Sequence, residues 1–286
     1  MKGTKIEWCT HTFNPWWGCQ RVSPGCEHCY AEAFAKRTGH PVWGPSAERR
    51  LFGDKHWSEP TKWNASAASR GVRERVFCAS MADVFEDRRD LDAQRERLWA
   101  LIATTPALDW LLLTKRPQNI AAMLPAHLDR HNVWLGTTTE DQQRADERLP
   151  HLIKNAAAVH FASYEPALGP VDFTRAPALL DALRDCCAEH DDRTRRHAAR
   201  CMSRRGLDWV IVGGESGPGA RPFDVAWARS TIAQCRAAGV ACFVKQLSRK
   251  PLGTTVTLKN SKGGDMSEWI GDLSDLAVRE YPEVQR

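Results

Sequence analysis

Cys19, Cys26 and Cys29 stand at the spacing C-x6-C-x2-C inside the run NPWWGCQRVSPGCEHCY. Two thiolates separated by two residues reach one metal, and Cys19 returns to them across the Ser-Pro-Gly turn. Thiolate is a soft ligand, so the triplet selects zinc, copper(I) or an iron-sulfur cluster and excludes magnesium and calcium. Three sulfurs are one short of a closed tetrahedral site. A structural zinc draws its fourth ligand from His28, His11 or Cys9, whereas an iron-sulfur cluster can leave one iron open. Gly18, Pro24 and Gly25 make the stretch a loop, and Tyr30 to Lys36 starts a helix after it, which favours the open site. The chain has 10 cysteines. Its start, MKGTKIEWCTHTF, lacks an apolar segment after the lysines, so the expected compartment is the cytoplasm, where clustered cysteines point to metal or catalysis rather than to disulfides.

The elements that must position this loop are read from apolar runs. VFCAS (76–80), WLLLT (110–114), VWLGT (133–137), VHFAS (159–163), WVIVGG (209–214) and CFVK (242–245) are nearly continuous, as strands covered on both faces are. A seventh strand is expected near 6–13. Residues 90–103, 117–128, 140–152 and 225–238 carry apolar residues at helical spacing. The alternation predicts an α/β fold, a full or partial (β/α) barrel with parallel strands or an open doubly wound sheet, in a single domain over 1–286.

In such folds the C-terminal strand ends converge on the active face. Those ends carry Ser80 and Asp83, Lys115 and Arg116, Thr137 to Glu140, Ser163 to Glu165, Gly213, Gly214 and Glu215, and Lys245. The glycines of Gly213 and Gly214 allow close approach of backbone to a ligand, leaving Glu215 to accept from an amine or hydroxyl. Lys115 and Arg116 suit a carboxylate or phosphate.

The long gap before Trp209 holds an insert at about 177–206, polar and arginine-rich, expected to be a helical hairpin. On it Cys187 and His190, and His197 and Cys201, share helix faces and form a candidate second site for zinc, with Cys186 as a substitute. Its arginines suit phosphates. The formal charge of +5 is compatible with nucleic acid or another anionic substrate, and no apolar run approaches the about 20 residues of a membrane span.

The triplet together with CASMADVFED, LLLTKRP, WLGTTTE, SYEP, WVIVGGESGPGARP and FVKQ resembles an uncharacterised phage-associated family of the radical S-adenosylmethionine (SAM) superfamily, whose members include spore photoproduct lyase. The resemblance covers nearly the whole chain. It implies a barrel of the radical SAM type and a 4Fe-4S cluster held by Cys19, Cys26 and Cys29, with SAM on the open iron. One electron from a flavodoxin- or ferredoxin-like reductant then cleaves SAM to a 5'-deoxyadenosyl radical that abstracts hydrogen from the substrate, with a nucleic acid or nucleotide as the expected substrate. It also implies that Ser80 and Asp83 hold the SAM amine and carboxylate and that His28 stacks on or hydrogen-bonds to adenine. Three departures stand out: the superfamily spacing is three and two residues rather than six and two, the usual aromatic just before the third cysteine is His28 here, and the Gly-Gly-Glu motif that usually follows the second strand follows the sixth. The alternative from another class is a zinc-stabilised nucleic-acid-binding protein without catalysis.

Overall fold

The computed structural model describes residues 3–4, 6–175, 206–217 and 219–284. The insert, and with it Cys187, His190, His197 and Cys201, lies outside the described residues apart from Gly206. Seven strands, β1 (His11–Phe13), β4 (Glu74–Cys78), β5 (Leu108–Thr114), β6 (Val133–Thr138), β7 (Val159–Tyr164), β8 (Trp209–Gly213) and β9 (Ala241–Gln246), form one sheet in that order, every neighbouring pair parallel. Strand order that follows chain order, with crossovers of a single hand, puts the crossover helices after β4 on one face of the sheet. That excludes the doubly wound alternative. Within the described residues β1 and β9 do not pair, so the barrel is partial.

The period of two along each strand explains the two faces. Val76, Trp110, Leu112, Leu135, Val210 and Val244 face outward into a large core with Leu98 and Ile102 of α4 (Asp92–Ala103), Leu149 of α6 (Gln142–Ile153) and Ile232 of α7 (Val225–Ala238). Phe77, Leu111, Trp134, Phe161, Trp209 and Phe243 alternate with them and fill the concave face together with Trp8. Gly136 lies on this face because Phe161 needs the room: a Cβ there would sit 2.2 Å from the ring Cζ.

The helices start where side chains can cap them. Asp141 Oδ1 accepts from Arg144 N at 2.8 Å at the head of α6, and Asp224 Oδ1 accepts from Ala226 N at 2.9 Å at the head of α7. The helix expected over 117–128 is shorter. A 3-10 turn at Pro117–Asn119 leads into α5 (Ile120–Met123), and Leu124 is extended, at ψ 116°, because Pro125 follows it.

Three further elements stand before β4: α1 (Tyr30–Arg37), a ribbon of β2 (Trp16–Trp17) with β3 (Arg50–Leu51), and the pair α2 (Asp54–Trp57) and α3 (Glu59–Ser69). Gly18, at φ +117°, threads between β2 and the loop after β4, where a Cβ would lie 2.3 Å from Val42 O. Buried Arg49 clamps that region, bonding Glu86 through two nitrogens at 2.7 and 3.1 Å and the carbonyls of Val42, Gly44 and Ala47.

Candidate functional site

The loop of the three cysteines crosses the C-terminal ends of the strands and is tied to three of them. At the end of β5, Arg116 donates from Nη2 to Gln20 O at 2.8 Å, and its Nη1 lies 3.8 Å from Cys19 Sγ. At the end of β6, Glu140 accepts from Gly25 N at 3.3 Å while Arg148 donates to it at 2.7 Å. Glycine at 25 leaves room for this approach, since a Cβ would lie 3.0 Å from the Glu140 carboxyl carbon. At the end of β8, Glu215 accepts from Arg221 and stands 3.0 Å from His28 Nδ1, and Arg221 reaches on to Pro24 O and Glu27 at 3.1 Å each.

Electrostatics reinforce the ties. Burial works to raise the Glu140 carboxyl, but Lys115, Arg148 and the Ser23 hydroxyl outweigh it and hold its pKa below the usual value. Glu215 is likewise held low against burial, mainly by hydrogen bonds from Arg221 and His28. Burial pushes the Cys19 thiol up to about 12, with Asp83 adding to the rise and Arg116 opposing it.

Ser80 and Asp83, expected to meet a ligand, have different fates. Ser80 takes a hydrogen bond from Asn14 Nδ2 at 3.1 Å, and its carbonyl takes one from the Tyr30 hydroxyl at 2.8 Å. The carboxylate of Asp83 is buried and already taken, by Thr114 Oγ1 at 2.7 Å, Arg116 Nη1 at 2.8 Å, Phe85 N at 3.0 Å and Lys115 N at 3.1 Å. Four donors leave it a positioning residue that fixes Arg116 toward Cys19. Gly213 and Gly214 face protein rather than open space: Cβ atoms there would lie 3.3 Å from Gln246 Cγ and 2.9 Å from Phe223 Cβ.

Toward the mouth of the concave face, register continues from Leu111 to Lys115, from Phe161 to Ser163 and Glu165, and from Phe243 to Lys245. Glu165 and Lys245 pair at 2.5 Å and are both part-buried. Lys115 stands near enough to lower Glu140 without an ion-pair contact to it. Three contributors had no role in the sequence reading: Asn14, Tyr30 and Arg221. Their only signal was adjacency to the quoted motifs.

Among the described residues no three His, Cys, Asp or Glu side chains stand together as a ready metal-holding group, so the structure brings the three thiols onto one loop without drawing them together. Their chemistry nevertheless suits a soft metal centre: all three are free and part-exposed. Of the expected fourth zinc ligands, His11 bonds Glu74 at 2.8 Å and stacks on Trp63 and Cys9 is buried, while His28 turns Nδ1 to Glu215. Three sulfurs that gather no fourth ligand among the described residues fit an open cluster better than a closed zinc site.

Comparison with solved structures finds spore photoproduct lyase complexed with dinucleoside spore photoproduct, at 13% identity and TM-score 0.45, covering 78% of this chain and 58% of that one. A doubly substituted form with bound AdoMet and dinucleoside spore photoproduct matches at 14% and 0.45, over 73% and 57%. A tyrosine-to-phenylalanine variant matches at 14% and 0.47, over 96% and 73%. The chain thus spans less than three fifths of the length of the first two. A search of curated proteins finds no match. One family model matches residues 3–270, so the chain belongs to the family described as protein of unknown function DUF5131.

Proposed function

We propose that this protein is a radical SAM enzyme acting on a nucleic acid or nucleotide. The reading rests chiefly on one observation: three free cysteines, gathered into no closed metal site among the described residues, lie on a loop tied to the C-terminal ends of three strands of a parallel half-barrel. In this reading Cys19, Cys26 and Cys29 would hold a 4Fe-4S cluster, each thiol giving up its proton to bind iron. A cluster bound there supplies one-electron reductive cleavage of the SAM carbon–sulfur bond.

The chain's own residues bind and orient. Ser80 and Lys115 meet the amino acid end of SAM, the hydroxyl toward the amine and the ammonium toward the carboxylate. His28 and Glu215 flank the nucleoside end. Asp83 keeps Arg116 against the cysteine loop, and Gly213 and Gly214 let Gln246 and Phe223 pack behind Glu215. The aromatic concave face keeps water away from the reacting centre. The electron comes from a flavodoxin- or ferredoxin-like reductant.

Anaerobic reconstitution with iron and sulfide tests the assignment. The expected product is a brown protein that dithionite reduces and that then converts SAM to 5'-deoxyadenosine and methionine. Cys26→Ala should lose both colour and SAM cleavage, whereas Cys187→Ser should keep the colour. A colourless protein carrying zinc at the triplet would sink the enzyme reading in favour of a zinc-stabilised binding protein.

A further inference from the structure

We infer that the outer face of α1 and the β2–β3 ribbon form a track for single-stranded nucleic acid leading to the mouth of the half-barrel. The inference deepens the proposed function and rests on its substrate class. Tyr30 and Phe34 stand four apart on α1, so they share one face of the helix, and Arg37 follows three residues later. Tyr30 is 55% exposed and Phe34 37%. The Tyr30 end of this stripe is at the mouth, where its hydroxyl donates to Ser80 O beside Cys29. At the other end Phe34 meets Trp17 edge to face, with centroids 5.8 Å apart, and Trp17 meets Phe52 at the same separation.

Two cations on this face, Arg37 and Arg50, sit on rings rather than on carboxylates. The Arg50 guanidinium lies 4.6 Å from the Trp17 centroid and 5.3 Å from Phe52, and that of Arg37 lies 5.4 Å from Phe34. Neither arginine has a carboxylate partner among the described residues; Arg50 instead bonds His40 Nε2 at 2.7 Å. The acid on α1, Glu32, is shared by Arg21 and Lys36, so the face as a whole is positive. Four of the eight large apolar side chains exposed among the described residues, Val22, Tyr30, Phe34 and Leu51, belong to this neighbourhood.

Stacking rings interleaved with unpaired guanidiniums fit bases interleaved with phosphates. A duplex hides its base faces, so such a surface takes a single strand. An acidic protein would find the charge but has no use for the ring faces. Continuity with Ser80 and Cys29 gives the track a direction, outside to reacting centre.

The test uses the full chain and a fluorescent single-stranded oligonucleotide of about 12 nucleotides, a length within the usual site sizes. Anisotropy should show binding that weakens with salt. Phe34→Leu keeps an apolar side chain against Trp17 but removes the ring, and should weaken binding about 5- to 100-fold with the salt slope unchanged. Arg37→Gln should lower the slope by about 0.7, the value for one phosphate contact on a single strand. Circular dichroism confirms that each variant is folded, and Phe34→Tyr, which keeps the ring, should restore binding.

No binding by the wild type, or wild-type binding by both Phe34→Leu and Arg37→Gln, overturns the track. So does a result in which the variants lose an acidic ferredoxin but keep the oligonucleotide, which would assign the face to a protein. Strand binding needs no cluster, so Cys26→Ala should bind as the wild type does. A wild-type protein that binds the strand but takes up no cluster on reconstitution would end the enzyme reading and leave the track standing.

Discussion

The guanidinium of Arg116 reaches Asp83, the carbonyl of Gln20 and the sulfur of Cys19, all from a buried position at the end of β5. Removing it leaves Asp83 buried with one cationic partner fewer and frees the first cysteine from the sheet. Arg116→Met should therefore cost about 3 kcal/mol or more in stability, the usual penalty for stranding one member of a buried pair. It should also lower the iron retained per chain. Adding Asp83→Asn to it should recover part of the stability and none of the iron, because the tie to Cys19 and Gln20 stays broken. Urea unfolding and iron analysis of the two variants check this, and full iron content in Arg116→Met would remove the arginine from the site. From the sequence Arg116 was readable only as a cation after a strand. Its partners, 33 and 96 positions away, are a matter of tertiary placement that no local pattern carries.

At the scale of elements, the seven strands of the sheet and α4, α6 and α7 were legible because covered parallel strands read as continuous apolar runs and an amphipathic helix reads as a period. The β2–β3 ribbon was not, since two-residue strands have no period to read. Nor was α3, whose buried residues are Pro60, Trp63 and Ala67 on an otherwise polar helix. Residues 117–128 carried helical spacing, but the proline at 125 stops the helix early. Gly136, a strand glycine on the concave side, illustrates a constraint invisible in one dimension. Gly136 sits beneath the ring of Phe161, and any added carbon must displace it. Gly136→Ala should destabilise the protein by about 1–3 kcal/mol through overpacking, and Phe161→Leu in the same chain should relieve part of that cost. A double-mutant cycle in thermal unfolding measures the coupling; additive effects would mean that the ring has somewhere else to go.

For the whole molecule, an open half-barrel has to deal with its last edge and with the far end of its concave face. The C-terminal segment does both. Val278 O accepts from Val244 N at 2.8 Å and Glu280 N donates to Cys242 O at 2.9 Å, so the edge of β9 is covered. Tyr281 then packs on Trp209 at 5.5 Å, lies under the Arg75 guanidinium at 3.9 Å and donates to Glu7 O at 3.1 Å, closing the end opposite the cysteine loop. A chain ending at Ala277 should melt at a lower temperature and self-associate through the bared strand. Calorimetry and size-exclusion chromatography check this; an unchanged melting temperature in a monomer would show that the edge needs no cover.

The three ties on the cysteine loop have a consequence for the order in which the protein is made. The cysteines leave the ribosome before their anchors, which follow 97, 115 and 197 positions later. Until Arg221 has been synthesised and the sixth strand of the sheet has docked, the loop lacks its last fixed point. Under the proposed function, loading of the cluster therefore waits until β8 and Arg221 are in place, well after the cysteines themselves have emerged.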